Sequence, residues 1–272
     1  MLQSTSVPDD VSDTRHSSAS SAHGRSFRAL LDLLGYTADF RWAFDNYKPV
    51  ILEIAREYGL TRHLEIGGGR GPLFQPEELN PQGMSVVLND ISAHELSLAP
   101  SGLDKLQCDI SAPGADKKIG VGSFDFAYCR MLMEHVSDVR QMWHNMYAIL
   151  APGGVAFSFF PTLYAPPFVV NRIMPEYITR AAIEALFPHR KPDGNNPKFP
   201  AIYDYCYSRD DILLPMLHGA GFSCVLIVPF YGYSYFWKFP LPKQIDGVFT
   251  DLARRNDWRM FSSFAYVMAR KI

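Results

Sequence analysis

A strand that runs straight into a cluster of glycines constrains this chain more than any other feature. Arg62 to Ile66 reads as a short strand, and Gly67-Gly68-Gly69-Arg70-Gly71 follows at once. Such a turn, opening a helix, lets backbone N–H groups approach a ligand closely. For the glycines taken alone, a tight turn without a ligand is the competing reading. Spacing narrows the choice. The dinucleotide fingerprint G-x-G-x-x-G needs a glycine at its sixth position. Counting from Gly67 that position is Pro72, and counting from Gly69 it is Phe74. Glu65 stands two residues before the first glycine, where a carboxylate repels phosphate and suits an ammonium group.

Strands and helices alternate around this turn. Met84 to Asn89, Leu103 to Cys108, Ser123 to Cys129 and Val155 to Phe160 read as further strands. Ser137 or Asp138 caps a helix from Val139 to Leu150, and Pro152-Gly153-Gly154 ends it. The alternation predicts an α/β fold, with a mainly parallel sheet covered on both faces. Upstream, Ser26 opens a short helix from Phe27 to Leu34. A second helical region runs from Ala38 to Tyr58, with a kink or break at Pro49 and a stop at Gly59. Downstream, residues 161–207 lose the rhythm and carry eight prolines, which reads as a functional lid insertion. The rhythm returns with a helix from Ser208 to about His218, a strand from Ser223 to Val228 and a last strand from Phe261 to Ala269. The predicted organisation is a disordered tail (1–24) and one domain (25–272). That domain divides into N-terminal cap helices (25–59), a ligand-binding half (60–160), the lid insertion (161–207) and the C-terminal half of the sheet (208–272).

Composition excludes several classes of protein. The net charge of −2 gives no global field favouring nucleic acid or an anionic membrane. No apolar stretch reaches the roughly 18–20 residues that span a bilayer, and no secretory core is visible, so a cytoplasmic protein is expected. The four cysteines, Cys108, Cys129, Cys206 and Cys224, form no C-x-x-C pair and have no histidine at zinc spacing. They read as free thiols, with neither a disulfide nor a metal site.

The glycine turn resembles the first motif of the class I, Rossmann-like S-adenosylmethionine-dependent methyltransferases. Leu64-Glu65-Ile66-Gly67-Gly68-Gly69-Arg70-Gly71 matches its defining positions. Four further landmarks follow in the family's order. Asp90 stands at the end of the second strand, 19 residues after Gly71. Cys108-Asp109-Ile110 follows the third strand, and Phe124-Asp125-Phe126-Ala127-Tyr128 continues into Leu132-Met133-Glu134-His135-Val136. Leu150-Ala151-Pro152-Gly153-Gly154 resembles the family's turn before the fifth strand. The resemblance covers residues 60–160 well and 208–272 loosely. It implies a three-layer sandwich around a mostly parallel seven-stranded sheet with an antiparallel C-terminal strand, plus the lid insertion. It also implies S-adenosylmethionine as the cofactor, with Glu65, Gly67, Gly68, Gly69, Gly71, Asp90, Ile91, Asp109, Ile110 and Arg130 as binding residues. In this picture Glu65 and the glycines hold the methionine part, Asp90 grips the ribose hydroxyls and Asp109 meets the adenine amino group. A cap on the following helix is the other reading of Asp109.

Methyl transfer from this cofactor is an in-line displacement that depends on positioning the nucleophile and excluding water. For a hydroxyl or amine acceptor a general base helps, and His135 is the candidate; for a carboxylate or pre-ionised carbon acid none is needed. The aromatic content of 14% is concentrated in the second half and suits an acceptor pocket. Trp42, Tyr47, Tyr164, Arg172 and Tyr203 are the candidate acceptor-binding residues; packing against the sheet is the alternative for each. The base-methylating signature is missing after the fourth strand, where Arg130-Met131-Leu132-Met133 stands. A small-molecule or glycan-precursor acceptor is therefore expected, and no nucleic acid. Two rivals share the fold: an aminopropyl-type transferase, and a cofactor-binding partner protein without activity. Oligomeric state is not readable from the sequence.

Overall fold

A computed structural model describes residues 24–164, 200–233 and 240–272. The expected tail, apart from Gly24, lies outside the described residues, as does most of the expected lid.

Seven strands form one sheet: β1 (Arg62–Ile66), β2 (Ser85–Asp90), β3 (Asp104–Gln107), β4 (Phe124–Arg130), β5 (Leu150–Pro161), β6 (Cys224–Phe230) and β7 (Phe264–Arg270). Their order is β3-β2-β1-β4-β5-β7-β6. The first five strands pair in parallel, and β7 runs antiparallel to both of its neighbours. Strand order reverses between β1 and β4. Right-handed crossovers then send the connections on either side to opposite faces and open a crevice at the carboxyl ends of these two strands.

Two N-terminal helices come first, α1 (Phe27–Leu33) and α2 (Phe40–Tyr58). The Ser26 and Asp39 side chains cap them by accepting from Ala29 N and Arg41 N. Of the kink or break expected at Pro49, no break occurs, and α2 runs from Phe40 to Tyr58 through the proline. The helix continues because Ala43, Tyr47, Val50, Ile51, Ile54 and Ala55 are buried on both sides of the proline, and that packing outweighs the missing hydrogen bond. The face α2 covers is an aromatic layer. Tyr47 packs on Phe157 and Phe159, Trp42 stacks on Phe230, and the Tyr266 hydroxyl donates to the Ala43 carbonyl.

Between the parallel strands lie α3 (Pro76–Gln82), α4 (Ala93–Ser97), α5 (Ala115–Ile119) and α6 (Val139–Ile149). Lys48 on α2 pairs with Glu78 on α3 at 2.6 Å, so these two helices share a face. Asp138, not Ser137, caps α6, accepting from Gln141 N at 2.9 Å. The Pro152-Gly153-Gly154 turn is absorbed into β5 as an irregularity, so this strand starts five residues earlier than Val155. A Cβ at Gly154 would lie 2.9 Å from the Ala151 carbonyl oxygen, and glycine removes that clash.

Two helices complete the described chain, α7 (Asp210–Ala220) and α8 (Pro240–Arg255). Helix α7 runs through Gly219, past the expected stop at His218, because Gly221 provides the left-handed cap (φ 111°). The sequence reading did not place α8, whose prolines and internal Gly247 mask its period. Among the described residues no helix is long and apolar enough to cross a membrane. All four cysteines are free thiols.

Candidate functional site

The glycine turn sits in the crevice at the end of β1. Gly67 and Gly69 adopt φ of 71° and 49°, in the left-handed region that favours glycine. A Cβ on Gly67 would lie 2.7 Å from Leu132 Cδ1, and one on Gly68 only 2.3 Å from Leu88 Cδ1. Gly71 differs from the other three, because a Cβ there meets nothing within 4 Å. Glu65 is buried beneath the turn, and both of its oxygens accept from Leu73 N, at 2.9 and 3.0 Å. Burial raises its carboxyl to about 7, against the lowering effects of the Leu73 N–H and the Arg130 and Lys48 charges.

Two acids follow the carboxyl ends of the next strands, Asp90 beside Gly69 and Asp109 after β3. Asp90, the last residue of β2, accepts from Ser92 N at 2.8 Å through Oδ1. Its carboxyl is half-buried and titrates above the usual range, chiefly through that burial. Asp109 accepts from Ser111 N and Ser111 Oγ at 2.8 and 2.7 Å. These bonds form a local turn through Oδ1 and not the expected helix cap, since α5 begins at Ala115 with Gly114 at its N-cap. Neighbouring Ile91 is exposed and Ile110 is buried. Asn89 ties the three points together. Its carbonyl accepts from Gly67 N at 2.8 Å, and its buried side-chain amide donates to the carbonyls of Leu106 and Cys108. The sequence reading missed Asn89, although a polar residue among Val86-Val87-Leu88 is a visible signal.

The turn after β4 supplies the opposite wall. Arg130 ends the strand, exposed, with its guanidinium 5.9 Å from the centroid of the Tyr47 ring. Met131 then takes a left-handed φ of 53°, and its N–H donates to Phe159 O at 2.7 Å. A short 3-10 turn, Met133–His135, carries Glu134 and His135. His135 Nδ1 is 2.6 Å from Pro200 O, and Nε2 is 3.7 Å from Glu134 Oε1. A carbonyl only accepts, so Nδ1 carries the proton. Burial lowers the pKa of this imidazole, and the Pro200 bond partly offsets the effect.

Glu134 is buried, and Oε2 has no hydrogen-bond partner among the described residues. With no partner at that oxygen, desolvation pushes its carboxyl up to about 8. The Glu134 carbonyl accepts from Ile202 N and Tyr203 N at 2.7 and 3.1 Å, fastening the segment after residue 199 to this turn. Nothing local in the sequence distinguishes Glu134 from an exposed glutamate.

The proposed acceptor residues are dispersed. Tyr47 is fully buried in the aromatic layer under Arg130. Trp42 is half-buried against Phe230 and donates to Leu34 O. Tyr164 packs on Tyr207, while Tyr203 is buried with a left-handed φ of 59°. Arg172 lies outside the described residues.

A family model described as a methyltransferase domain matches residues 22–194. The chain belongs to this methyltransferase family. It is an enzyme that depends on S-adenosylmethionine. Among solved structures, a SAM-dependent methyltransferase from Archaeoglobus fulgidus is similar over 86% of this chain and 100% of its own, at 16% identity and a TM-score of 0.50. A Mesorhizobium loti S-adenosylmethionine-dependent methyltransferase covers 77% of this chain and 90% of its own, at 18% identity and TM-score 0.47. Phosphoethanolamine N-methyltransferase 2 of Haemonchus contortus, in complex with S-adenosyl-L-methionine, covers 91% of this chain and 60% of its own (17% identity, TM-score 0.49). No curated protein matches the chain by sequence. Cβ atoms at Gly67, Gly68 and Gly69 would lie 2.7, 2.3 and 3.1 Å from the Leu132, Leu88 and Asp90 side chains, so this methyltransferase's turn is built for glycine at these three positions.

Proposed function

We propose that this methyltransferase acts on a small-molecule or glycan-precursor acceptor, with the cofactor held across the carboxyl ends of β1, β2 and β3. The observation that supports the reading is Glu65 beneath the glycine turn and Asp90 beside Gly69, with Asn89 linking the turn to the Cys108 carbonyl that precedes Asp109. In this reading Glu65 and the backbone of Gly67 to Gly71 face the methionine ammonium, Asp90 takes the ribose hydroxyls and Asp109 the adenine amino group. Ile91 and Ile110 flank the adenine. When bound, S-adenosylmethionine supplies a sulfonium-activated methyl group open to in-line displacement.

The chain's own contribution is positioning and proton removal. His135 donates Nδ1–H to Pro200 O, which leaves Nε2 as the basic nitrogen. Burial keeps the imidazole neutral at physiological pH, the form a base requires. Nε2 takes the proton of a hydroxyl or amine acceptor as the new bond forms. Tyr164, packed on Tyr207, and Tyr203, hydrogen-bonded to the Glu134 carbonyl, are the acceptor contacts in this reading.

Two measurements test the assignment. Calorimetry should detect S-adenosylmethionine binding to the wild type and at least tenfold weaker binding to Asp90→Ala. Methyl-labelled cofactor incubated with a metabolite extract should transfer label to a small acceptor. Label appearing only on nucleic acid or protein would overturn the acceptor class.

A further inference from the structure

Asn145 is a polar side chain on the buried face of α6, among Met142, Trp143, Met146 and Ile149, and only 2% exposed. Leucine there would favour the helix more and leave no polar group to satisfy. The asparagine finds its main partners outside α6. Its Nδ2 donates to the carbonyls of Ile110 and Ala112, at 2.7 and 2.9 Å. Its Oδ1 accepts from Gln141 Nε2 at 3.0 Å, one helical turn earlier. Carbonyls only accept, so the two of them fix which way the amide points. Both donated bonds land on the loop that follows β3.

That loop is held from two layers of the fold. From the sheet, Asn89 on β2 donates to the Cys108 carbonyl at 3.0 Å. From the helix layer, Asn145 takes the carbonyls of Ile110 and Ala112. Asp109 lies between these anchors, and its own carbonyl accepts from Ala112 N at 3.1 Å. Ser111 occupies Oδ1 of its carboxylate, so Oδ2 is the oxygen left to a ligand. We propose that Asn145 is a positioning residue for the adenine end of the cofactor: by tying the loop to α6 it sets where the Asp109 carboxylate stands, and so how strongly the enzyme prefers a 6-amino purine to a 6-oxo purine. The inference rests on the cofactor placement above. A carboxylate accepts from a 6-amino group and repels a 6-oxo oxygen, so the preference depends on its position. Gln141 contributes by aiming the Asn145 amide.

Calorimetry with S-adenosylhomocysteine and S-inosylhomocysteine tests the proposal, because the two ligands differ only at the purine 6-position and its neighbouring N1. Wild type should bind the adenine ligand about 10- to 100-fold more tightly, the range of one hydrogen bond to a charged group. Asn145→Leu keeps a similar volume and removes both donors, and should cut that ratio to about threefold or less. Gln141→Ala leaves both donors in place and should lower the ratio by a smaller factor, about two- to fivefold. The ratio is the readout because a general loosening of the fold weakens both ligands alike. A wild-type ratio in Asn145→Leu, with or without equal weakening of both ligands, overturns the proposal and leaves the cofactor placement intact. Where Asn145→Leu does not fold, Gln141→Ala decides, and a wild-type ratio there overturns the proposal. A wild type that binds both ligands equally removes Asp109 from the adenine and overturns the proposal with it. A wild type that binds neither ligand overturns the whole placement and the proposal together.

Discussion

The side-chain amide of Asn89 donates to the carbonyl oxygen of Cys108 at 3.0 Å, while the Asn89 carbonyl accepts the N–H of Gly67 at 2.8 Å. One buried residue thus sets the spacing between the glycine turn and the loop that carries Asp109. Asn89→Ala removes both side-chain hydrogen bonds and leaves the Leu106 and Cys108 carbonyls without that donor. It should destabilise the protein by about 1–3 kcal/mol and weaken cofactor binding. Urea denaturation with calorimetry checks both; a midpoint equal to wild type would remove Asn89 from this role.

The glycines of the turn are not equivalent. Gly68→Ala places a Cβ 2.3 Å from Leu88 Cδ1 and 3.0 Å from Glu65 Oε1. Overpacking of this kind costs about 1–3 kcal/mol, so the variant should melt early and lose the cofactor. Gly71→Ala meets nothing within 4 Å and keeps an ordinary φ, so its stability should stay within about 0.5 kcal/mol of wild type. Equal effects at the two positions would contradict the geometry.

With Glu65 facing the cofactor's ammonium, as proposed, cofactor binding should depend on pH. Burial raises its carboxyl from 4.5 to about 7 in the folded protein. Between these values the native state holds a proton that the unfolded chain has released, so this group's stabilisation is full below 4.5 and fades as pH rises through 7. The loss amounts to at most about 3 kcal/mol. An ammonium partner favours the carboxylate, so binding should release up to one proton and strengthen from about pH 6 to pH 8. Titrations in two buffers of different ionisation enthalpy measure the released proton directly. In Glu65→Gln the proton release should vanish.

Glu134 should dominate the alkaline side of the stability curve. Its carboxyl titrates at about 8 in the folded protein, against an ordinary 4.5. The sign is the same: above about 4.5 the unfolded chain releases a proton that the buried group keeps, so stability falls until the buried group itself ionises at about 8. Between about pH 5 and pH 8 each unit should lower the unfolding free energy by up to about 1.4 kcal/mol from this group. Denaturant midpoints across that range should fall in wild type and fall less in Glu134→Gln. Parallel slopes would show that Glu134 ionises in the folded protein at an ordinary carboxyl pH.

Local patterns in the sequence carry most of the sheet. The strands β1 to β4 lie within two residues of where alternating apolar stretches put them, and the capping roles of Ser26 and Asp138 agree with short-range hydrogen-bond chemistry. The positions of the glycine turn and of Asp90 are legible for the same reason, since neighbours in the chain set both. Pro49 shows the limit of such reading. Its local penalty is real, but helix α2 is decided by side chains that meet the sheet more than a hundred residues away.

What the sequence determined by itself is therefore the order of strands along the chain, the glycine turn and the acids that flank it. Tertiary structure decided the rest. It buried Tyr47 as a platform under Arg130 instead of opening it to an acceptor, because α2 crosses the aromatic face of β5 and β7. It buried Glu134 by laying Ile202 and Tyr203 over its backbone, and it linked Asn89 to Cys108. Each of these outcomes depends on desolvation or on a hydrogen bond between distant residues, and neither quantity exists until the chain has closed on itself.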